Sequence, residues 1–137
     1  MANIVEYEVR GKVAIITLNR PEARNAVNGD VAQGMEAALD ELEADSSIVS
    51  VVITGRGTSF CAGADLTLVA VGRGAELATA RGGFAGMVTR RYTKPLLAAV
   101  NGPALAGGFE IMLTCDMVVA GDETIFGLPE VRRGLFA

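Results

Sequence analysis

A glutamate follows a pair of glycines by about one helical turn in "ALAGGFE", residues 104 to 110. On a helix that begins at the glycines, Glu110 shares a face with the backbone N–H of Gly107. The neighbours of Glu110 are apolar, and desolvation among them raises a carboxyl pKa toward the range useful for proton transfer near neutral pH. The alternative is an amphipathic helix on which Glu110 faces water.

Backbone N–H groups are a second chemical resource of this sequence. The first N–H groups of a helix have no partner within it, and the helix dipole there favours negative charge. Gly107 is expected to carry one of these N–H groups. In "SFCAGADL", residues 59–66, the chain leaves a strand through small residues, so we expect the Ala64 N–H to face a ligand without a large side chain in the way. Two such groups aimed at one carbonyl oxygen form an oxyanion hole. The alternative is that these glycines only permit tight turns and close packing.

A second candidate carboxylate is Glu130, in "IFGLPEVRRG" at residues 125–134. Two carboxylates converging on one polarised carbonyl suit the addition of water across a conjugated double bond. One of them deprotonates the water and the other supplies a proton to carbon. The alternatives are an ordinary glutamate in the first turn of a helix after proline, or a surface ion pair with Arg132 or Arg133.

The composition argues against several other kinds of site. The 137 residues include no histidine, which excludes Ser-His-Asp and Cys-His nucleophile systems and removes the commonest zinc ligand. The glycine-rich stretches lack the Gly-Lys-Ser/Thr ending of a phosphate-binding loop. We therefore expect neither a metal nor a nucleoside triphosphate.

Charge and hydrophobicity indicate the cellular setting. The net charge of −4 comes without a basic patch, so we expect neither a nucleic acid nor a membrane as partner. No apolar run is long enough to cross a bilayer, and the N-terminus lacks the pattern of a signal peptide. Cys61 and Cys115 are predicted to be buried free thiols, which favours a cytoplasmic location.

The elements that must position these residues alternate between strands and helices. "IVEYEVR" and "KVAIITLNR" predict a hairpin that turns at Arg10-Gly11. A helix is predicted to start at Asn28 or Asp30, and "SVVITG", residues 50–55, predicts a strand suited to burial on both faces. The apolar face of that helix is expected to comprise Val31, Met35, Ala38, Leu39 and Leu42.

The second half of the chain continues the alternation. "LLAAV" predicts a strand that Pro95 opens, "DMVVAG" predicts a buried strand, and "GGFEIMLT" between them predicts a short buried helix. Residues 66–94 are expected to form a helix broken by a mobile loop, because glycines interrupt its apolar stripe. That stripe comprises Leu77, Ala80, Phe84, Met87 and Val88. The pattern predicts an α/β fold with parallel pairings and one domain over residues 1–137.

Taken together, these residues resemble the crotonase family, the enoyl-CoA hydratase/isomerase superfamily. The resemblance runs in order through "VAIITLNRPEARNAV", "SFCAGADL", "KPLLAAVNGPALAGGFEIMLTCDMVVAG" and "TIFGLPEVRRGL", and covers nearly the whole chain. It implies a crotonase-like core of ββα repeats, the ClpP/crotonase fold. Family members are longer, so we expect their C-terminal helical region to be absent from this chain. In the family, that region closes the acyl pocket, contributes to CoA binding and supports trimer contacts.

The resemblance also implies a role for each candidate residue. The family's oxyanion-hole N–H groups fall on Ala64 and Gly107, and the two glutamates of its hydratases fall on Glu110 and Glu130. The Glu130 position is the one usually assigned the proton that goes to C2. The coenzyme A moiety is expected along Arg24, Ala26, Ala62 and Leu66.

The implied activity is addition of water to a 2-enoyl-CoA to give the 3-hydroxyacyl-CoA, as in fatty acid β-oxidation. It requires no metal or other cofactor, and coenzyme A is part of the substrate. A double-bond isomerase that relies on Glu130 alone, or an inactive acyl-CoA-binding or structural fragment, are the alternatives. A homo-oligomer, either a trimer or a dimer of trimers, is expected if the C-terminal region is supplied.

Overall fold

The N-terminal hairpin is confirmed. The computed structural model describes residues 3–136. Strands β1 (Val5–Arg10) and β2 (Val13–Leu18) pair antiparallel, with Val5 opposite Leu18. Gly11 has a φ of +62° in the connecting turn, a left-handed conformation that glycine adopts without steric cost.

The first long helix, α1 (Gly29–Ala44), starts where the sequence predicts. The side chain of Asn28 accepts a hydrogen bond from the Val31 N–H at 2.9 Å, which satisfies one of the free N–H groups of the first turn. The predicted apolar face is buried throughout, at Val31, Met35, Ala38, Leu39 and Leu42. Helix α1 therefore supplies one side of the hydrophobic core.

Strand β3 (Ser50–Gly55) follows α1 and pairs parallel with β2. Its burial alternates along the strand: Val51 and Ile53 are buried, and Val52 between them is only partly so. The expectation of burial on both faces was wrong for this strand. One face packs on the core beneath α1 and the other remains partly accessible, as is common in a sheet covered on one side.

Residues 66–94 differ from the prediction of a broken helix. Only α2 (Leu66–Ala70) is α-helical, followed by a 3₁₀ turn and the short strands β4 (Ala78–Thr79) and β5 (Gly83–Phe84). Gly83 and Gly86 have positive φ, and a Cβ on Gly82 would lie 2.0 Å from the Gly86 carbonyl oxygen. Tight glycine turns thus place part of the apolar stripe against the core without a helix, and Met87 is fully buried.

The remaining elements are β6 (Leu96–Val100), β7 (Ala104–Leu105), α3 (Gly107–Thr114), β8 (Met117–Ala120) and β9 (Phe126–Gly127), followed by a 3₁₀ turn at Pro129–Arg133. The main sheet has the order β1-β2-β3-β6-β8, and all its pairings after the first hairpin are parallel. The predicted α/β class is confirmed.

Register explains how the core is built. Ile16 lies opposite Ile53, which lies opposite Ala98, and all three side chains are buried on the same face of the sheet.

Strand β8 departs from the prediction of a buried strand, because all four of its residues are exposed. It is the last strand of the sheet and, among residues 3–136, pairs only with β6. Among residues 3–136, no helix has both the length and the apolar character that crossing a bilayer requires.

Candidate active site

The candidate residues lie on segments that leave the same edge of the sheet. Strands β2, β3, β6 and β8 are parallel, so their carboxyl ends are at one edge, and each is followed by a segment with predicted site residues. Those segments are residues 19–28, 56–65, 101–110 and 121–130. In open α/β sheets, ligands bind at this edge.

Short parallel pairings join these segments beyond the sheet. Val27 pairs with Ala64, Cys61 pairs with Ala104, and β7 pairs with β9. The segment of Ala64 is thereby held between the Val27 segment and β7. A Cβ placed on Gly63 would lie 2.9 Å from the Gly107 nitrogen, so the two predicted N–H donors are on neighbouring backbone.

The direction of the Ala64 N–H follows from one hydrogen bond. The Gly63 carbonyl accepts from the Val27 N–H at 2.8 Å. In a trans peptide the C=O of one residue and the N–H of the next point in opposite directions, so the Ala64 N–H points away from Val27 and toward the side of β7. No acceptor within residues 3–136 is bonded to this N–H.

The Gly107 N–H is the first of helix α3. The Ala106 carbonyl, in the same peptide unit, accepts from the Phe109 and Glu110 N–H groups at 3.0 and 3.1 Å. The Gly107 N–H therefore points out of the N-terminus of the helix, where the dipole favours negative charge. Within the described part of the chain it has no hydrogen-bond acceptor.

Ala106 itself has a strained backbone, with φ +53° and ψ −125°. A conformation of this kind costs a non-glycine residue on the order of 1–3 kcal/mol and persists only where its surroundings impose it. Here the Ala106 N–H donates to the Gly127 carbonyl at 2.9 Å while its carbonyl is held by α3. Both sides of Ala106 are thus fixed, and this fixes the peptide that carries the Gly107 donor.

The two predicted carboxylates are close enough to interact. Glu110 is half-buried on α3, and its pKa is raised above its ordinary value, first by desolvation and second by the negative charge of Glu130. The alternative of a glutamate that simply faces water does not describe Glu110.

Glu130 reaches this position through β9. Phe126 of β9 stacks on Phe109 of α3 with ring centroids 6.1 Å apart, which joins the segment before Glu130 to the helix that carries Glu110. The Glu130 Oε2 atom is buried and has no hydrogen-bond partner within residues 3–136. A buried, unsatisfied carboxylate oxygen is costly in a purely structural role, so this atom is available to a ligand or a water molecule.

The four residues expected along coenzyme A lie beside the Ala64 segment. The Arg24 carbonyl accepts from the Ala62 N–H at 3.0 Å, which joins two of them directly. Arg24 and Leu66 are exposed, whereas Ala26 and Ala62 are partly buried. They line accessible surface next to the proposed hole, and nothing in their geometry assigns a ligand.

Sequence reasoning missed Asn25, which is fully buried in the loop before α1. Its side chain accepts from the Arg20 N–H at 2.9 Å and donates to the Ser59 carbonyl at 2.8 Å and the Arg56 carbonyl at 3.0 Å. Its φ is +56°, and asparagine is among the few residue types enriched in that conformation, so the residue type itself is the signal that the sequence offers. Asn25 ties the loops after β2 and β3 together.

Phe84 is a second residue whose position the sequence did not predict. A Cβ on Gly107 would lie 2.4 Å from the Phe84 ring, so the ring covers the Cα of Gly107 and would have to move to admit a larger residue there. Cys61, next to Ala62, is fully buried, and burial raises its thiol pKa to about 12. The thiol therefore stays protonated, as expected for an inert small residue.

Comparison with known proteins establishes the family. The sequence profile described as "Enoyl-CoA hydratase/isomerase" matches residues 8–137, nearly the whole chain. The chain belongs to the enoyl-CoA hydratase/isomerase family. This confirms the resemblance, and with it the crotonase fold of the chain.

Members of the enoyl-CoA hydratase/isomerase family resemble this chain over only part of their own length. The short-chain-enoyl-CoA hydratase of Clostridium acetobutylicum is 43% identical, over 97% of this chain and 52% of its own. The mevalonyl-coenzyme A hydratase of Aspergillus fumigatus is also 43% identical, over 91% of this chain and 47% of its own. The crystal structure of a probable enoyl-CoA hydratase/isomerase from Mycobacterium abscessus superposes with a TM-score of 0.92 at 47% identity, covering 100% of this chain and 53% of that one. The chain therefore spans about half the length of these relatives.

Proposed function

We propose that the protein acts as an enoyl-CoA hydratase, adding water across the double bond of a 2-enoyl-CoA to give the 3-hydroxyacyl-CoA. The observation that carries the proposal is that the Ala64 and Gly107 N–H groups lie on neighbouring backbone without an acceptor among residues 3–136, while Glu110 on the same helix as Gly107 interacts with Glu130. The names of the family relatives support the same reaction class.

In this proposal the thioester oxygen accepts hydrogen bonds from the Ala64 and Gly107 N–H groups. When the water oxygen bonds to C3, the electrons of the double bond shift toward the carbonyl, and negative charge develops on that oxygen. Donors that are already oriented stabilise this charge without reorganising, and loss of one such donor costs about 2.7–4 kcal/mol in other enzymes. The strained Ala106 peptide and the bonds of Val27 provide that orientation.

The two carboxylates have complementary roles in the proposed reaction. Glu110 takes a proton from the water as the water oxygen bonds to C3, and the Glu130 carboxyl gives a proton to C2 as the enolate collapses. A raised pKa at Glu110 favours its action as a base near neutral pH, because its affinity for the proton is closer to that required. A proton passed from Glu110 to Glu130, directly or through water, returns the pair to its starting state.

Coenzyme A is proposed to lie along Arg24, Ala26, Ala62 and Leu66, next to the hole, and no metal or other cofactor takes part. We assign no particular acyl group to the substrate, because the names of the two relatives indicate different acyl groups. A trimeric assembly, a cytoplasmic location and a part in fatty acid β-oxidation stay predictions.

The proposal is tested by measuring the hydration of crotonyl-CoA, which is monitored through the loss of its enoyl absorbance. Glu110→Gln and Glu130→Gln each remove one carboxylate while keeping size and hydrogen-bonding capacity, and we expect each to lower kcat by about a hundredfold or more. Glu41→Gln, at an exposed position of α1, is the matched control and should leave turnover unchanged. Undiminished turnover in both site variants would refute the proposal.

Two other outcomes identify the alternatives. An isomerase needs only one shuttling carboxylate, so conversion of a 3-enoyl-CoA to the 2-enoyl isomer would survive Glu110→Gln and be lost in Glu130→Gln. Binding of crotonyl-CoA without turnover in the parent chain would identify an acyl-CoA-binding protein instead.

A further inference from the structure

A partly buried ion pair connects the loop after β2 to the segment that carries Ala64. The Arg20 Nη2 atom lies 3.1 Å from the Asp65 Oδ2 atom, and the side chains are only 16% and 14% exposed. The same guanidinium donates through Nη1 to the Ala26 carbonyl at 2.6 Å. Arg20 thus binds the Ala26 carbonyl in the loop after β2 and the Asp65 carboxylate in the segment of Ala64 at the same time.

These two groups flank the pairing that orients the Ala64 N–H. The Val27 N–H donates to the Gly63 carbonyl at 2.8 Å, and the Asp65 N–H donates to the Val27 carbonyl at 2.9 Å. Ala26 immediately precedes Val27, and Asp65 immediately follows Ala64. The Arg20 bridge therefore joins the residues next to this pairing and keeps the two segments in register.

Core packing restrains one side of this pairing, because Val27 is fully buried, whereas Ala64 and Asp65 are only partly buried. Asp65 caps α2, where its Oδ1 accepts from the Thr67 N–H at 3.1 Å and the Thr67 hydroxyl at 2.6 Å. Helix α2 itself, Leu66–Ala70, has no fully buried residue, so apolar packing holds it only weakly. The side chain of Asp65, held by Arg20, is the polar anchor between α2 and the loop after β2.

We infer that Arg20, through Asp65 and Ala26, is a positioning residue that orients the Ala64 N–H toward the substrate carbonyl. The inference rests on the proposed function for its catalytic meaning, since the N–H must have an oxyanion to stabilise. Arginine suits this position because its planar fork bonds a carbonyl and a carboxylate together, which a lysine ammonium does less well.

The test uses Arg20→Met and Asp65→Asn, with Arg20→Lys as the conservative variant. Arg56→Met is the matched control, because Arg56 also forms an ion pair, with Glu6, but one that is more exposed. The first readout is amide hydrogen exchange at Asp65 and Val27. Loss of a charge-assisted hydrogen bond should speed exchange at both amides by about ten- to a hundredfold, while buried amides of α1 and β3 stay protected.

The second readout is the absorption of bound 4-(dimethylamino)cinnamoyl-CoA. Hydrogen bonds to its carbonyl shift the absorption to longer wavelength, because they stabilise charge moved toward the oxygen. We expect a smaller shift in Arg20→Met and Asp65→Asn, partial recovery in Arg20→Lys, and the parent shift in Arg56→Met. Turnover of crotonyl-CoA should fall in kcat by about tenfold with little change in KM.

The outcomes separate the inference from the proposed function. Parent-like exchange at Asp65 and Val27 in both Arg20→Met and Asp65→Asn overturns the inference, whatever the turnover. Faster exchange with an unchanged probe shift also overturns it, because the ion pair would then be structural only. A parent chain that neither shifts the probe nor hydrates crotonyl-CoA overturns the proposed function and, with it, the catalytic meaning of Arg20. If Arg20→Met unfolds, Asp65→Asn, which retains the oxygen that caps α2, decides the matter.

Discussion

Replacing Gly108 with alanine has two opposing effects on the stability of the fold, and the contacts of the added Cβ decide which is larger. Gly108 lies in the first turn of α3, and its φ is not positive, so helix propensity alone favours alanine by about 1 kcal/mol. The added Cβ would, however, lie 2.0 Å from the carbonyl oxygen of Cys61 and 2.9 Å from its Cβ. Ordinary contact begins at 3.4 Å, so backbone must move by more than an ångström.

The magnitude follows from what has to move. The Cys61 carbonyl is buried and accepts the Leu105 N–H at 3.0 Å, so displacing it weakens the pairing between this segment and β7. Overpacking costs about 1–3 kcal/mol, and a backbone contact belongs at the upper end. After subtraction of the propensity gain, we expect Gly108→Ala to lower the free energy of unfolding by about 2 kcal/mol.

Thermal unfolding followed by far-UV circular dichroism measures this loss. An unfolding entropy of about 2.1 cal/mol/K per residue converts 2 kcal/mol into a Tm lower by about 7 °C for a chain of 137 residues. Gly127→Ala is the control, because nothing lies within 4 Å of a Cβ there and its φ is not positive. It should be neutral or slightly stabilising. A Tm for Gly108→Ala equal to or above that of the parent would refute the contact argument.

Two further variants test the site and its support. Because the Glu110 pKa is raised in the folded chain from its ordinary 4.5, the folded state binds more protons than the unfolded state, and stability falls as pH rises from about 4.5 through the raised pKa. Glu110→Gln should therefore lose less stability than the parent between pH 4 and pH 7 in urea unfolding, and equal losses would contradict the raised pKa of Glu110. Asn25→Ala removes three hydrogen bonds at a φ of +56° and should destabilise the chain by about 3 kcal/mol or more. A loss below about 1 kcal/mol would show that other contacts hold these loops.

Local patterns predicted the elements well wherever local interactions determine them. The hairpin at Gly11, the cap at Asn28 and the helix over residues 107–114 each follow from a turn, a capping side chain or an apolar run. In residues 66–94 the spacing of apolar residues suggested a helix, whereas glycines at positive φ produce turns. Spacing alone does not distinguish these cases, because both can direct side chains toward the core.

Tertiary features were harder to predict. The apolar sequence of β8 resembles that of a buried strand, and only the strand order shows that it lies at an edge. The meeting of Ala64 with Gly107 came from the family resemblance, since their separation in sequence carries no information on contact. Likewise, Arg20 and Asp65 are 45 residues apart, and each alone resembles a surface charge.

The pairings that join Val27 to Ala64, Cys61 to Ala104 and β7 to β9 also constrain when the site can form. Each pairing connects segments that are distant along the chain, and long-range pairings close late because loop entropy opposes them. During synthesis, the donor at Ala64 emerges well before the donor at Gly107, and Glu130 emerges last. A nascent chain therefore has no oxyanion hole until the segment of Gly107 has emerged, and its carboxylate pair is completed only later, when Glu130 has emerged.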